Sequence, residues 1–143
     1  IDVVQVVYSL MNRESTDLIR DLGQAGAGVF ARESLGNGFL SGAITRETVF
    51  PQNNLNKRHD QDEMETRIKY VNSLRFLIRD DILTMPQAAF RWVLDNPDVS
   101  LVLSGALNMV ELEDVLNVPN LSSFSDQEML QTRTLHNQDF AAA

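Results

Sequence analysis

Residues 28–42 read Gly28-Val29-Phe30-Ala31-Arg32-Glu33-Ser34-Leu35-Gly36-Asn37-Gly38-Phe39-Leu40-Ser41-Gly42. Val29-Phe30-Ala31 is a short apolar run, long enough for a buried strand. It opens into a loop punctuated by Gly36, Gly38 and Gly42. Glycine lets the backbone approach a ligand closely or take positive φ without steric cost. A buried strand that opens into a Gly-rich loop is where an α/β protein builds a site. Many barrels and doubly wound sheets share such a turn, so the spacing by itself names no chemistry.

Upstream, Ile1 to Val7 is almost continuously apolar, broken by Asp2 and Gln5. That is how a parallel strand covered on both faces reads. A buried Gln5 amide must find partners or cost about 1–3 kcal/mol. Ser15 or Thr16 caps a short helix through about Gly23, with Asp17 at its positive end and Leu18, Ile19 and Leu22 on its buried side. Gly23 and Gly26 end it. Strand, short helix, strand is a βα repeat.

Downstream, Ala43 to Asp60 is polar with little periodicity, a long loop of the kind that is functional or mobile. His59 lies in it without a partner motif and reads as a solvated histidine. Gln61 to Arg79 is a helix, with Met64, Ile68, Val71, Leu74 and Ile78 recurring at three and four. A second helix follows Thr84, with Pro86 in its first turn and Asn96-Pro97 at its end. Trp92 on it reads as core. Val99 to Ser104 is a further strand. It leads into Gly105-Ala106-Leu107-Asn108-Met109-Val110-Glu111, where Asn108 and Glu111 form an Asn-led capping box for a helix through about Val118. Ser125 and Glu128 repeat that signal for the last helix.

Three separated stretches occur in an order that resembles the aldo/keto reductase family. The stretch 28–42 is similar to that family's seventh strand and loop, G-V-x-A-[YWR]-x-P-L-x-x-G-L-L-x-G, with Ser34 at the proline position. Gln5, Tyr8 and Arg13 match the Q-x-x-Y-x-x-x-x-R of its sixth strand. Val99 to Ala106 resembles its eighth strand and the turn after it, and Leu121 to Leu130 its terminal L-S-x-x-E helix. The fold this implies is α/β, a partial (β/α)8 TIM barrel: strands six to eight with their covering helices, in a single domain over 1–143. A complete barrel takes about 250 residues, so the chain of 143 reads as the C-terminal part of a longer protein.

The family reduces carbonyls by hydride transfer from NADP or NAD. By the resemblance, Gln5 holds the nicotinamide carboxamide, the alternative being an interior residue bonded to neighbouring strands. Arg32 stands where the family has the Tyr or Trp that stacks on nicotinamide, and a guanidinium plane also stacks. Glu33, Leu35 and Asn37 line the pyrophosphate path, and the loop at 43–60 lies over the cofactor. The turn and helix at Gly105, Leu107, Glu111 and Asp114 correspond to the family's G-A-[KRS]-x-x-x-Q-x-x-E-N, which takes the adenosine 2′-phosphate. Here Leu107 replaces the basic or serine residue, Glu111 the glutamine and Val115 the asparagine, while Asp114 keeps the acidic position. Leu107 cannot pair with phosphate and Glu111 repels it, so NADP preference is doubtful. Glu111 either accepts from a free ribose 2′-hydroxyl or only caps its helix. The family's Asp, Tyr, Lys, His tetrad belongs to earlier strands, and no catalytic residue maps onto this chain.

Composition sets outer limits. The net charge is −8, from 20 acidic and 12 basic residues, which disfavours nucleic acid as a partner. There is no cysteine, hence no disulfide or thiolate site, in keeping with a cytoplasmic protein. No apolar run approaches the roughly 20 residues of a membrane span. No metal-ligand, Ser-His-Asp or paired-carboxylate spacing occurs. Two classes of function follow. One is the cofactor-binding part of an NAD(P)H-dependent oxidoreductase. The other is a non-catalytic barrel piece whose open strand edges drive it to self-associate or to bind a partner such as the missing N-terminal barrel half.

Overall fold

The computed structural model describes residues 1–140. Three parallel strands, β1 (Val3–Val7), β2 (Gly28–Arg32) and β3 (Leu101–Val102), form one sheet in the order β1-β2-β3. The helices are α1 (Thr16–Gln24), α2 (Gln61–Ser73), α3 (Met85–Leu94), α4 (Met109–Leu116) and α5 (Asp126–Leu135). This is the partial barrel expected from the sequence, and its register decides what is buried. Val4 pairs with Val29, and Val6 with Ala31, which in turn pairs with Val102. Side chains alternate across a strand, so these share one face. Val6, Val29 and Ala31 are buried there in one core with Ile19 of α1 and Ala88, Ala89, Trp92 and Val93 of α3.

The opposite face carries Val3, Gln5, Phe30, Arg32 and Leu101. Here the structure corrects the sequence. The β1 run predicts a strand covered on both faces, yet Val3 is 47% exposed and Gln5 is exposed. An apolar run records what a strand is built to pack against. Three strands do not close a barrel, and among the described residues none arrives from across a lumen to cover Gln5. β3 is likewise shorter than the 99–104 expected. Its flanks keep single ladder bonds, Ser100 N–H to the Val29 carbonyl and Leu103 N–H to the Ala31 carbonyl, each at 2.9 Å.

Three helices differ from their sequence readings for local reasons. On α1 only Ile19 is buried, and Leu18 is 50% exposed. Gly23 does not end α1 but sits inside it, where a Cβ would fall 2.2 Å from Asp98 Oδ1; Gly26, at φ 77°, makes the turn. α2 stops at Ser73 rather than Arg79. The Ser73 hydroxyl donates to the Tyr70 carbonyl at 2.6 Å, competing with the helix ladder, and the chain tightens into a 3₁₀ turn over Arg75–Leu77. α4 ends at Leu116, and Pro119 falls in the 3₁₀ turn Val118–Asn120 that follows. α3 and α5 start at Thr84 and Ser125 as read, each side chain accepting an N–H from the first turn.

Arg13 ties the top of β1 to the C-terminal helix. Its guanidinium lies over Trp92 at 4.6 Å, donates to the Thr132 carbonyl at 3.0 Å, and meets the Tyr70 hydroxyl at 3.4 Å. Tyr70 donates in turn to the Leu10 carbonyl at 2.7 Å. Trp92 is core as expected, and its indole N–H donates to Thr132 Oγ1. Buried bonds of this kind add about 1 kcal/mol each, and they fix the loops above the sheet where a site can form.

Candidate functional site

The loop leaving β2 is wound tightly. Gly36 N–H donates to the Glu33 carbonyl at 2.8 Å, and Leu40 N–H to the Leu35 carbonyl at 3.0 Å. The winding takes Gly36 and Gly38 to positive φ, and also Glu33 (φ 56°) and Asn37 (φ 54°). For non-glycine residues that conformation costs about 1–3 kcal/mol and tends to cluster at functional positions. Two contacts hold it. The buried Ser34 hydroxyl donates to the Tyr8 carbonyl at 3.1 Å, joining the ends of β1 and β2. Asn56, brought back by the long loop, donates Nδ2 to the Asn37 carbonyl at 2.8 Å. Asn56 is 4% exposed, and its Oδ1 meets no partner among the described residues. The long loop is therefore docked on the glycine loop rather than loose. His59 is docked with it and is not a solvated residue. Its side chain is 7% exposed, lies edge-on to Phe39, and contacts Glu63 Oε2 at 3.2 Å.

Between this loop and the β3–α4 turn lies a cleft of about 540 Å³. Glu33, Leu35 and Asn37 form one wall, Gly105, Glu111 and Asp114 the other, and Pro86 and Phe90 of α3 the floor. The Glu111 carboxylate sits on the N-terminus of α4. It accepts from Leu107 N–H at 2.8 Å and from Asn108 Nδ2 at 2.9 Å. Glu111 N–H returns a bond to Asn108 Oδ1 at 3.0 Å. A helix N-terminus attracts an anion, and here the chain provides its own. Asp114 is also engaged, accepting from the Thr84 hydroxyl at 2.7 Å and from Gln87 Nε2 at 3.2 Å. Glu33 pairs with Arg32 at 2.5 Å, which offsets the carboxylate at the cleft mouth.

The structure thus gathers six of the nine residues singled out in the sequence. Gln5 lies on the open sheet face, Arg32 at the end of β2, and Leu107 is 91% exposed, so these three do not line the cleft. A family model for the aldo/keto reductase family matches residues 1–136. The chain belongs to the aldo/keto reductase family. Members are oxidoreductases that use a nicotinamide nucleotide. Among solved structures, the glycerol dehydrogenase AKR11B4 of Gluconobacter oxydans superposes with a TM-score of 0.82 at 23% identity, over 96% of this chain and 42% of that one. The holo form of aldo-keto reductase AKR11C1 from Bacillus halodurans gives 0.66 at 17% identity, over 94% and 42%. At such identity the likeness is one of fold. The chain spans about two fifths of the length of these aldo/keto reductases. No curated protein matches the sequence.

Sequence reading missed Asn56, Thr84 and Gln87. Asn56 carries no motif signal, because its role depends on where an eighteen-residue loop returns. Thr84 was visible only as the residue after which a helix begins. Among the described residues no group of three His, Cys, Asp or Glu side chains is placed to hold a metal, and no helix is long and apolar enough to cross a membrane.

Proposed function

We propose that this chain is the nucleotide-binding portion of an aldo/keto reductase that interconverts carbonyls and alcohols and prefers NADH to NADPH. The observation that carries the reading is the Glu111 carboxylate bonded across the α4 N-terminus, in the wall of a cleft that the glycine loop closes. The adenosine end would lie in that cleft, against Gly105, Glu111 and Asp114, with Leu107 at its rim. The pyrophosphate would follow the Glu33–Asn37 backbone. Gln5 would meet the carboxamide on the open sheet face, since an amide offers the matching donor and acceptor. Arg32 would lie flat against the nicotinamide. The nucleotide supplies or accepts the hydride when bound. Proton transfer falls to residues outside this chain.

Two phosphate charges about 5 Å from a carboxylate in water repel by roughly 1–2 kcal/mol, which is about tenfold in affinity. Titrating NADH and NADPH by fluorescence tests the reading. NADH should bind about tenfold more tightly, and Glu111→Arg should reverse the order. Absence of binding by either nucleotide, or tighter NADPH binding by the unaltered chain, would overturn it.

A second reading, a module that binds a partner or a second copy, has its own observation. Val3, Leu101, Leu103, Met109 and Val110 are 39–76% exposed on the open sheet face and on α4. Such surface tends to be covered. A chain that sediments as an oligomer and ignores both nucleotides would favour this reading.

A further inference from the structure

The helix that carries Glu111 has little apolar anchorage. α4 is eight residues long and none of them is buried. Met109, Val110 and Leu116 are 64%, 76% and 65% exposed, while Val115 packs against the core. A helix shorter than about 12–15 residues is marginal in water by itself. α4 therefore stands where it does because something outside it holds it.

The hold comes from α3. Asp114 Oδ2 accepts from the Thr84 hydroxyl at 2.7 Å, and its Oδ1 from Gln87 Nε2 at 3.2 Å. The same Gln87 nitrogen donates to the Asp114 carbonyl at 2.9 Å, one of the four carbonyls that a helix leaves unpaired at its end. The clamp is itself fixed. Gln87 is 8% exposed, and its Oε1 accepts from Leu83 N–H at 2.9 Å. Thr84 Oγ1 accepts from Gln87 N–H at 3.2 Å. Hydrogen bonds to an ionised acceptor are about twice as strong as neutral ones, and this acceptor lies at the positive end of α3. Asp114 lines the cleft but both of its carboxylate oxygens are bonded to α3, and Thr84 is not part of the lining.

We infer that Thr84 is a positioning residue: acting through Asp114, it sets where α4 and the Glu111 carboxylate stand beside the cleft. Gln87 is the second arm of the same clamp. The placement of α4 depends on bonds within the chain, and only its effect on nucleotide preference rests on the function proposed above.

The test uses Thr84→Val, which keeps the side-chain shape without the hydroxyl, and Thr84→Ser, which keeps the hydroxyl. Thr84→Val also uncaps α3, so Asp114→Ala, which leaves that cap in place, is the second variant. Amide hydrogen exchange at Leu107, Glu111 and Leu112 is followed in the nucleotide-free chain, and NADH and NADPH are titrated by fluorescence. Exchange at these amides should quicken about tenfold or more in Thr84→Val and in Asp114→Ala, with the amides of β1 and β2 unchanged. The double variant should exceed either single by no more than about twofold. The preference for NADH should shrink toward equality in Thr84→Val, whereas loss of stability alone would weaken both nucleotides alike. Thr84→Ser should restore exchange and preference together. The inference is overturned if the α4 amides keep their exchange rates in both variants, if β1 and β2 loosen equally, if Thr84→Ser behaves as Thr84→Val, or if the two variants simply add. It is also overturned if exchange quickens while the nucleotide preference is kept, which would leave Thr84 a structural role alone. Failure of the unaltered chain to bind either nucleotide would instead remove the proposed function, and the exchange result would then decide the placement of α4 by itself.

Discussion

Replacing Arg91 with methionine should destabilise the fold far more than an ordinary substitution, because of where its partner sits. Arg91 is 9% exposed. Its Nε and Nη2 donate to Asp95 Oδ1 at 3.0 and 2.9 Å, and its Nη1 to the Val118 and Pro119 carbonyls at 3.2 and 3.3 Å. The Asp95 side chain is 8% exposed, and its other oxygen accepts from Phe124 N–H at 2.8 Å. The carbonyls are minor losers, since Val118 keeps a bond from Leu121 N–H and Pro119 is open to water. The Asp95 charge is the main one. Leaving one member of a buried pair uncompensated costs about 3–5 kcal/mol, which for a chain of this size is a fall in Tm of about 10–20 °C. The double substitution Arg91→Met, Asp95→Leu removes the stranded charge with its partner, so its cost should be well below the sum of the singles, by about 2 kcal/mol or more. Urea unfolding of the four proteins measures this. A loss under about 1 kcal/mol for Arg91→Met, or simple additivity, would refute the reasoning. The pair also bears on the cleft, because the turn Val118–Asn120 that Arg91 holds packs against α4, which carries Glu111.

Two further outcomes concern pH. Arg79, donating to both Glu128 oxygens at 2.7 and 3.0 Å, holds the Glu128 carboxyl down to about 2 from an ordinary value near 4.5. A depressed acid contributes stability that is present above its unfolded value and lost as pH falls through its folded value. Thermal melts should therefore lose stability between roughly pH 4.5 and 2, and Glu128→Gln should remove that component. His59 and His136 are both held below the usual histidine range, first by burial and then by Arg67 and Arg13 respectively. The unfolded chain takes up those protons first, so urea stability should be greatest above about pH 6.5 and decline toward pH 5. A flat or rising profile over that interval would contradict the burial of both rings.

The strands, the glycine loop, the helix start after Thr84 and the caps at Asn108 and Ser125 were legible because each is local. Hydrophobic period and side-chain-to-backbone bonds a few residues apart do not need the rest of the molecule. The candidate cleft was legible in part for the same reason, as Glu33, Leu35 and Asn37 sit on one turn and Gly105, Glu111 and Asp114 on another. The sequence left Glu111 open between capping and ribose binding. The structure shows its carboxylate bonded to Leu107 N–H and Asn108 Nδ2, a bonding pattern that follows from how the turn is wound.

What the sequence by itself determined, then, is the order of βα units, the parallel sheet and the family. Those follow from periodicity and from short motifs whose spacing is fixed along the chain. Only the tertiary structure decided that Gln5 faces an open surface, that Gly23 is needed for the approach of Asp98, and that His59 is covered. It alone decided that Asn56 pins Asn37 from nineteen residues away, and that Thr84 and Gln87 hold Asp114. Each of these depends on which distant segment arrives beside a residue, and that is set by how the helices and the long loop pack on three strands that do not close.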